Sequence, residues 1–243
     1  MQRLRSAIHL GLIYGLMGLM GIGAAPVVLW SRAWTLRWMK LWAASVFVLT
    51  RWLCGLGVEW RGPVPAGPVV VAAKHQSMLD VLMLFHVLPE PRFVMKRELV
   101  WAPVFGLYAL RIGCIWIERE KRGEGKTMLA RLEKVEARRG QVVIYPQGTR
   151  VPPGSYRPYR RGAALTYETF GLPMVLAATN AGWFWPKKGV LKRPGTAVVE
   201  FLETLPPGLP RAEIMRRMED AIEAASRRLG EEAARGLGEP VAA

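Results

Sequence analysis

Apolar positions dominate the first sixty residues. Between Arg5 and Arg32 there is no Asp, Glu, Lys or Arg, and Leu10 to Trp30 is uncharged over all 21 residues. As one helix that run would reach ~30 Å, about one hydrocarbon core. Arg3 and Arg5 ahead of it resemble the basic start of a signal peptide. The run is longer than an ordinary signal core, however, and no small-x-small cleavage site leads into a polar start. The pattern therefore predicts a retained anchor. Five glycines (Gly11, Gly15, Gly18, Gly21, Gly23) and Pro26 make its helix irregular. A second apolar stretch, Leu41 to Val58, is broken only by Arg51. Basic residues flank the first run on both sides, so charge asymmetry sets no orientation. Two arrangements fit: a spanning hairpin, or a helix pair embedded from one face, with Arg32, Arg37, Lys40 and Arg51 reaching lipid phosphates. The second is favoured.

The pattern changes after Arg61-Gly62-Pro63-Val64-Pro65-Ala66-Gly67-Pro68, a turn-rich linker. Short β-branched runs now alternate with helical spacing. Strands are predicted at Val69–Ala73, Phe93–Lys96, Cys114–Glu118, Gln141–Tyr145, Met174–Thr179 and Ala197–Glu203. Helices are predicted at Met78–Leu88, Val100–Arg111 with Pro103 in its first turn, Lys126–Arg139 and Gly162–Phe170. A last helix starts near Pro210 and shows an apolar face of Ile214, Met218, Ile222, Ala225 and Leu229. This is an α/β pattern: a central, mostly buried sheet flanked by helices, with an N-terminal two-helix membrane-anchoring appendage. The expected organisation is an anchor over 1–60, a catalytic-type domain over 61–230 and a frayed tail over 231–243.

Composition narrows the partners. Lys and Arg exceed Asp and Glu by 34 to 19, a net +15, which calls for an anionic partner. Nucleic acid would fit that charge but not the uncharged N-terminal run, and no nucleic-acid-binding motif appears. Cys54 and Cys114 cannot make a disulfide scaffold, and His9, His75 and His86 lack zinc-ligand spacing. No metal and no cofactor are expected. Trp183, Phe184 and Trp185 beside Lys187, Lys188, Lys192 and Arg193 suit a headgroup region, or equally an aromatic cluster covering the sheet.

Candidate chemistry lies at strand ends. Lys74-His75-Gln76-Ser77-Met78-Leu79-Asp80 follows the strand Val69–Ala73. His75 can act as a general base near neutral pH, with Asp80 one turn onward to orient its ring. Ser77-x-x-Asp80 also fits a helix capping box, which needs no catalysis. Farther on, a strand runs into Tyr145-Pro146-Gln147-Gly148-Thr149-Arg150. Gly148 can turn successive N–H groups toward an anion, and Arg150 adds a phosphate donor. Lys96 and Arg119 also stand at strand ends, where they are either surface charges or partners of Arg150 at one sheet edge. Arg150, Arg157, Arg160 and Arg161 form a basic cluster that suits phosphate groups.

KHQSMLD, then KRELVWAPVFG with GCIWIERE, then IYPQGTR, then LPMVLAATNAG resembles, in order, the four blocks of the glycerolipid acyltransferase family. The match is nearest the bacterial type acting on 1-acyl-sn-glycerol 3-phosphate, and it covers roughly residues 60–205. The resemblance implies transfer of a fatty acyl group from acyl-CoA or acyl-carrier protein to lysophosphatidic acid. The product would be phosphatidic acid for phospholipid synthesis, made at the cytoplasmic face of a bacterial inner membrane. It implies His75 as base, Asp80 as its orienting partner, and Lys96, Arg119, Gly148, Thr149 and Arg150 as the acceptor-phosphate site. Alternatives are the same fold acting on glycerol 3-phosphate or a lyso-aminolipid, and a non-catalytic lipid-binding protein. In one respect the chain departs from the family pattern: Gln147 stands where the third block usually has Glu. Gln147 is expected to accept hydrogen bonds that fix the turn and aim Arg150, with Gln147→Glu a mild change.

Overall fold

A computed structural model describes residues 1–117, 124–133 and 139–239. The chain opens with three helices, α1 (Gln2–Gly23), α2 (Ala25–Trp30) and α3 (Arg32–Cys54). The uncharged run is therefore not one rod, because α1 stops at Gly23 and the chain restarts as α2. The Ser31 hydroxyl caps α3 by accepting from the Trp34 N–H, and Gly55 ends it in the left-handed region.

Seven strands follow: β1 (Leu56–Arg61), β2 (Val69–Ala73), β3 (Pro91–Lys96), β4 (Ile115–Ile117), β5 (Gln141–Ile144), β6 (Met174–Thr179) and β7 (Gly195–Leu205). They form one sheet in the order β1-β7-β6-β2-β5-β3-β4. Every pair is parallel except β6 with β7. Between the strands lie α4 (Met78–Val87), α5 (Phe105–Ile112), α6 (Glu124–Leu132), α7 (Gly162–Phe170), α8 (Ala181–Phe184) and α9 (Arg211–Leu237).

Residues 56–60, grouped with the anchor by their apolar run, belong instead to β1, which pairs with β7 from Leu56 opposite Gly195. Residues 231–237 continue α9 rather than fraying. The helix expected over Val100–Arg111 is divided into a 3-10 turn at Arg97–Trp101 and α5. Pro103 and Val104 separate the two, and Val104 takes a left-handed φ of 63°, which is rare for a β-branched residue.

Strand alternation divides the core into two faces. On one, Val71, Ala73, Val143, Tyr145, Val175 and Ala177 pack with α4 residues Leu79 and Phe85. On the other, Val70, Ala72, Val142, Ile144, Met174 and Leu176 pack with Ile214, Met218 and Ile222 of α9. The central strands are covered on both faces, as parallel sheets require. The predicted apolar face of α9 is buried throughout. Ile13 of α1 and Ala43 and Val46 of α3 join the first cluster, so the anchor shares the domain's core. Phe184 and Trp185 are also buried there, which makes the aromatic segment a cover for the sheet.

Candidate active site

Because β2, β3, β4 and β5 run parallel, their C-terminal ends share one edge of the sheet. Loops at that edge are the usual place for chemistry in such folds. His75 follows β2, Gly148 follows β5, and Lys96 ends β3. Lys96 is exposed and lies two strands from β2, or ~10 Å along the sheet. Arg119 lies outside the described residues.

Alternation also decides where each side chain goes. Ala73 points toward α4, so Lys74 turns to the α9 face and His75 returns to the α4 face. Asp80 in the first turn of α4 meets His75 there, Nδ1 to Oδ1 at 2.8 Å. Its other oxygen, Oδ2, accepts the N–H groups of Gln76 at 2.8 Å and Ser77 at 2.6 Å. The Ser77 hydroxyl accepts from the Leu79 N–H at 3.0 Å. The capping box and the His–Asp pair therefore coexist, one carboxylate serving both with separate oxygens. Asp80 is fully buried, while the His75 side chain is 16% exposed. A carboxylate oxygen accepts, so Nδ1 is the donor of this pair and Nε2 is the ring nitrogen left to face a substrate.

Tyr145 lies flat against the imidazole, with ring centroids 3.9 Å apart and 18° between planes. Burial raises its phenol pKa well above the ordinary range, and the Asp80 charge adds to the shift. Tyr145 thus stays neutral and fixes the ring plane. The strand pattern marked this residue as core, and nothing in its spacing signalled contact with His75.

The turn after β5 is tied to the first motif. The Val151 N–H donates to the His75 carbonyl at 2.8 Å, and the Gly182 N–H donates to Gln76 Oε1 at 3.1 Å. Gly148 has φ 70°, in the left-handed region, and a Cβ there would come within 3.1 Å of Arg160 Cδ. Its N–H donates to the Tyr145 carbonyl at 2.9 Å. Gly148, Thr149 and Arg150 are half-buried. The Lys187 ammonium donates to the Arg150 carbonyl at 3.0 Å. A cavity of about 740 Å³ is lined by residues that include Tyr145, Gly148, Arg160 and Arg161.

Gln147 is placed differently from expectation. It is buried, and its Nε2 donates to the Arg157 carbonyl at 2.9 Å and to Glu223 Oε1 at 3.3 Å. Both partners can only accept, so the amide donates where an accepting role was expected. No hydrogen-bond candidate was read at Glu223 in the sequence, because it sits beside the apolar stripe of a distant helix.

A family model described as Acyltransferase matches residues 57–178. The chain is 35% identical over 161 residues to a 1-acyl-sn-glycerol-3-phosphate acyltransferase of Pseudomonas aeruginosa, covering 65% of this chain and 63% of that one. It is 32% identical over 171 residues to the beta form of the same-named enzyme from Homo sapiens, covering 68% and 62%. The matches thus span less than two thirds of either relative's length. The crystal structure of a 1-acyl-sn-glycerophosphate (LPA) acyltransferase from Thermotoga maritima superposes with TM-score 0.76 at 18% identity. That superposition covers 94% of this chain and 98% of the other, a likeness of fold.

Proposed function

The chain belongs to the acyltransferase family, and on that premise we propose that it acylates the free hydroxyl of 1-acyl-sn-glycerol 3-phosphate. Phosphatidic acid for phospholipid synthesis is then the product. The observation that carries this reading is the His75–Asp80 pair, stacked on Tyr145 at the sheet edge that also presents Gly148-Thr149-Arg150. His75 Nε2 removes the proton as the acceptor oxygen attacks the thioester carbonyl, and Asp80 stabilises the imidazolium. The new C–O bond forms, the C–S bond breaks, and the proton passes from His75 to the departing thiolate. Arg150, with Arg119 and Lys96, holds the acceptor phosphate, and the Gly148 turn supplies backbone donors. The donor is acyl-CoA or acyl-carrier protein, and the Arg150, Arg157, Arg160 and Arg161 cluster suits its phosphates.

The anchor is read as embedded from one face. Both ends of α1 touch the sheet domain. Gln2 Nε2 donates to the carbonyls of Cys54 and Lys192, and the Tyr108 hydroxyl donates to the Gly21 carbonyl at 2.7 Å. A helix of ~33 Å held at both ends by one domain lies along it rather than crossing to the far side. Leu19, Ile22, Trp30, Trp34 and Trp52 are exposed, as are Trp101, Phe105, Leu107 and Leu110 around α5. These exposed apolar side chains suit contact with lipid, and the cytoplasmic face of an inner membrane is where the acyl donors reach it.

Thiol release from acyl-CoA, measured with and without lysophosphatidic acid, tests the reading. Release that depends on the acceptor is expected. Release only with glycerol 3-phosphate would reassign the acceptor. Lipid binding without release from either acyl-CoA or acyl-carrier protein would make the protein non-catalytic.

A further inference from the structure

Lys74 directly precedes His75, and Gln147 directly precedes Gly148. The side chains of both leave the reactive edge for the opposite face and meet one group there, Glu223 of α9. Lys74 Nζ donates to Glu223 Oε1 at 2.6 Å and Oε2 at 2.8 Å. The Tyr159 hydroxyl donates to Oε1 at 2.9 Å, and Gln147 Nε2 donates to the same oxygen at 3.3 Å. The Lys74 side chain is only 3% exposed, against 22% for Glu223. Among the described residues, Glu223 is the one carboxylate bonded to Lys74. A buried ammonium that loses its counter-charge is strongly destabilised.

We infer that Glu223 is a positioning residue: one carboxylate, delivered by α9, clamps the His75 motif and the Gly148-Thr149-Arg150 turn to each other. The base and the phosphate-binding turn sit on separate loops after neighbouring strands, and catalysis depends on their spacing to within about an ångström. The clamp bonds the residue immediately before each of them. It also explains Gln147. The Arg157 carbonyl and Glu223 face this side chain with acceptor oxygens, so an amide nitrogen satisfies both. A carboxylate at 147 would set like charges against each other beside Lys74. Glutamine here and glutamate at 223 are therefore one arrangement.

The test is a charge-relocation cycle on the full chain: Glu223→Gln, Gln147→Glu and the double variant. The kinetic arm rests on the acyl-transfer reading; melting temperature serves as an arm independent of it. Each single variant is expected to lose at least about tenfold in kcat/KM and to melt lower. The double variant restores one negative charge near Lys74 but sets a carboxylate against the Arg157 carbonyl, so it is expected to regain part of both losses, as coupled neighbours do. Recovery of turnover by moving a charge is a result that a merely space-filling role for Glu223 would not give. Losses that add in the double variant, or single variants like the native protein, overturn the inference. If the native chain turns over no lysophosphatidic acid, the proposed function fails and the melting cycle alone decides the clamp. If Glu223→Gln does not fold, Gln147→Glu alone decides: a lowered melting temperature supports the clamp, and an unchanged one overturns it.

Discussion

His75 and Asp80 are five residues apart, and every contact between them is local. That is why the pair could be read from the chain before any fold was known. Replacing His75 with Ala should cut turnover by ~10²–10⁴, the range for a lost general base. Asp80→Asn should also lower turnover. Circular dichroism and thiol release on the same samples separate these effects from misfolding. Near-native turnover in folded His75→Ala would remove the base assignment. Tyr145 offers a finer test. Its ring faces the imidazole across 3.9 Å, so Tyr145→Phe should keep near-native turnover while Tyr145→Ala should lose about tenfold or more. Equal losses would shift the role to the hydroxyl. Arg150→Ala should raise KM for lysophosphatidic acid more than it raises KM for acyl-CoA, consistent with ~1.5–3 kcal/mol for a charged hydrogen-bonding partner. A change confined to the acyl-CoA term would place the phosphate elsewhere. Tyr145 and Glu223 were not legible as site residues for different reasons. An aromatic in a strand reads as core, and Glu223 acts on Lys74 across 149 positions.

The elements read best where one signal dominated. Val69–Ala73, Gly162–Phe170 and Met174–Thr179 stand where strand and helix spacing put them, with Gly171 in the left-handed conformation ending α7. β1 was hidden because its apolar residues continue an apolar helix without a break in composition; only pairing with β7 distinguishes it. The stretch before α5 was hidden by tertiary contact. Val104 presses against Gly21 so closely that a Cβ there would lie 2.2 Å from its Cγ1. The α5 region is thereby docked on α1, and Trp101 and Phe105 beside that contact are exposed. Trp101→Asp with Phe105→Asp should weaken binding to anionic vesicles in a flotation assay while leaving the secondary structure unchanged. Unchanged flotation would confine lipid contact to α1–α3.

Taken as a whole, the molecule does not separate into an anchor and a catalytic body. Ile13, Ala43 and Val46 complete the same buried cluster as Val143 and Phe85, and Arg32 bonds the Ile112 carbonyl and Glu90. Removing residues 1–55 should therefore give aggregated or strongly destabilised protein, not a freely soluble enzyme, as sedimentation and thermal melting would show. A monomeric, fully active product would refute the shared core. The topology also imposes an order in time. Helices α1–α3 leave the ribosome before the sheet, and His75 can meet Asp80 within a few residues of synthesis. Lys74 must wait for Glu223, 149 residues later, which at ~5–20 residues per second is ~7–30 s. During that interval the growing chain can settle on lipid with its lysine unpaired and its sheet unfinished. Interrupted chains ending before α9 should be quickly degraded by proteases, so that only completed molecules persist.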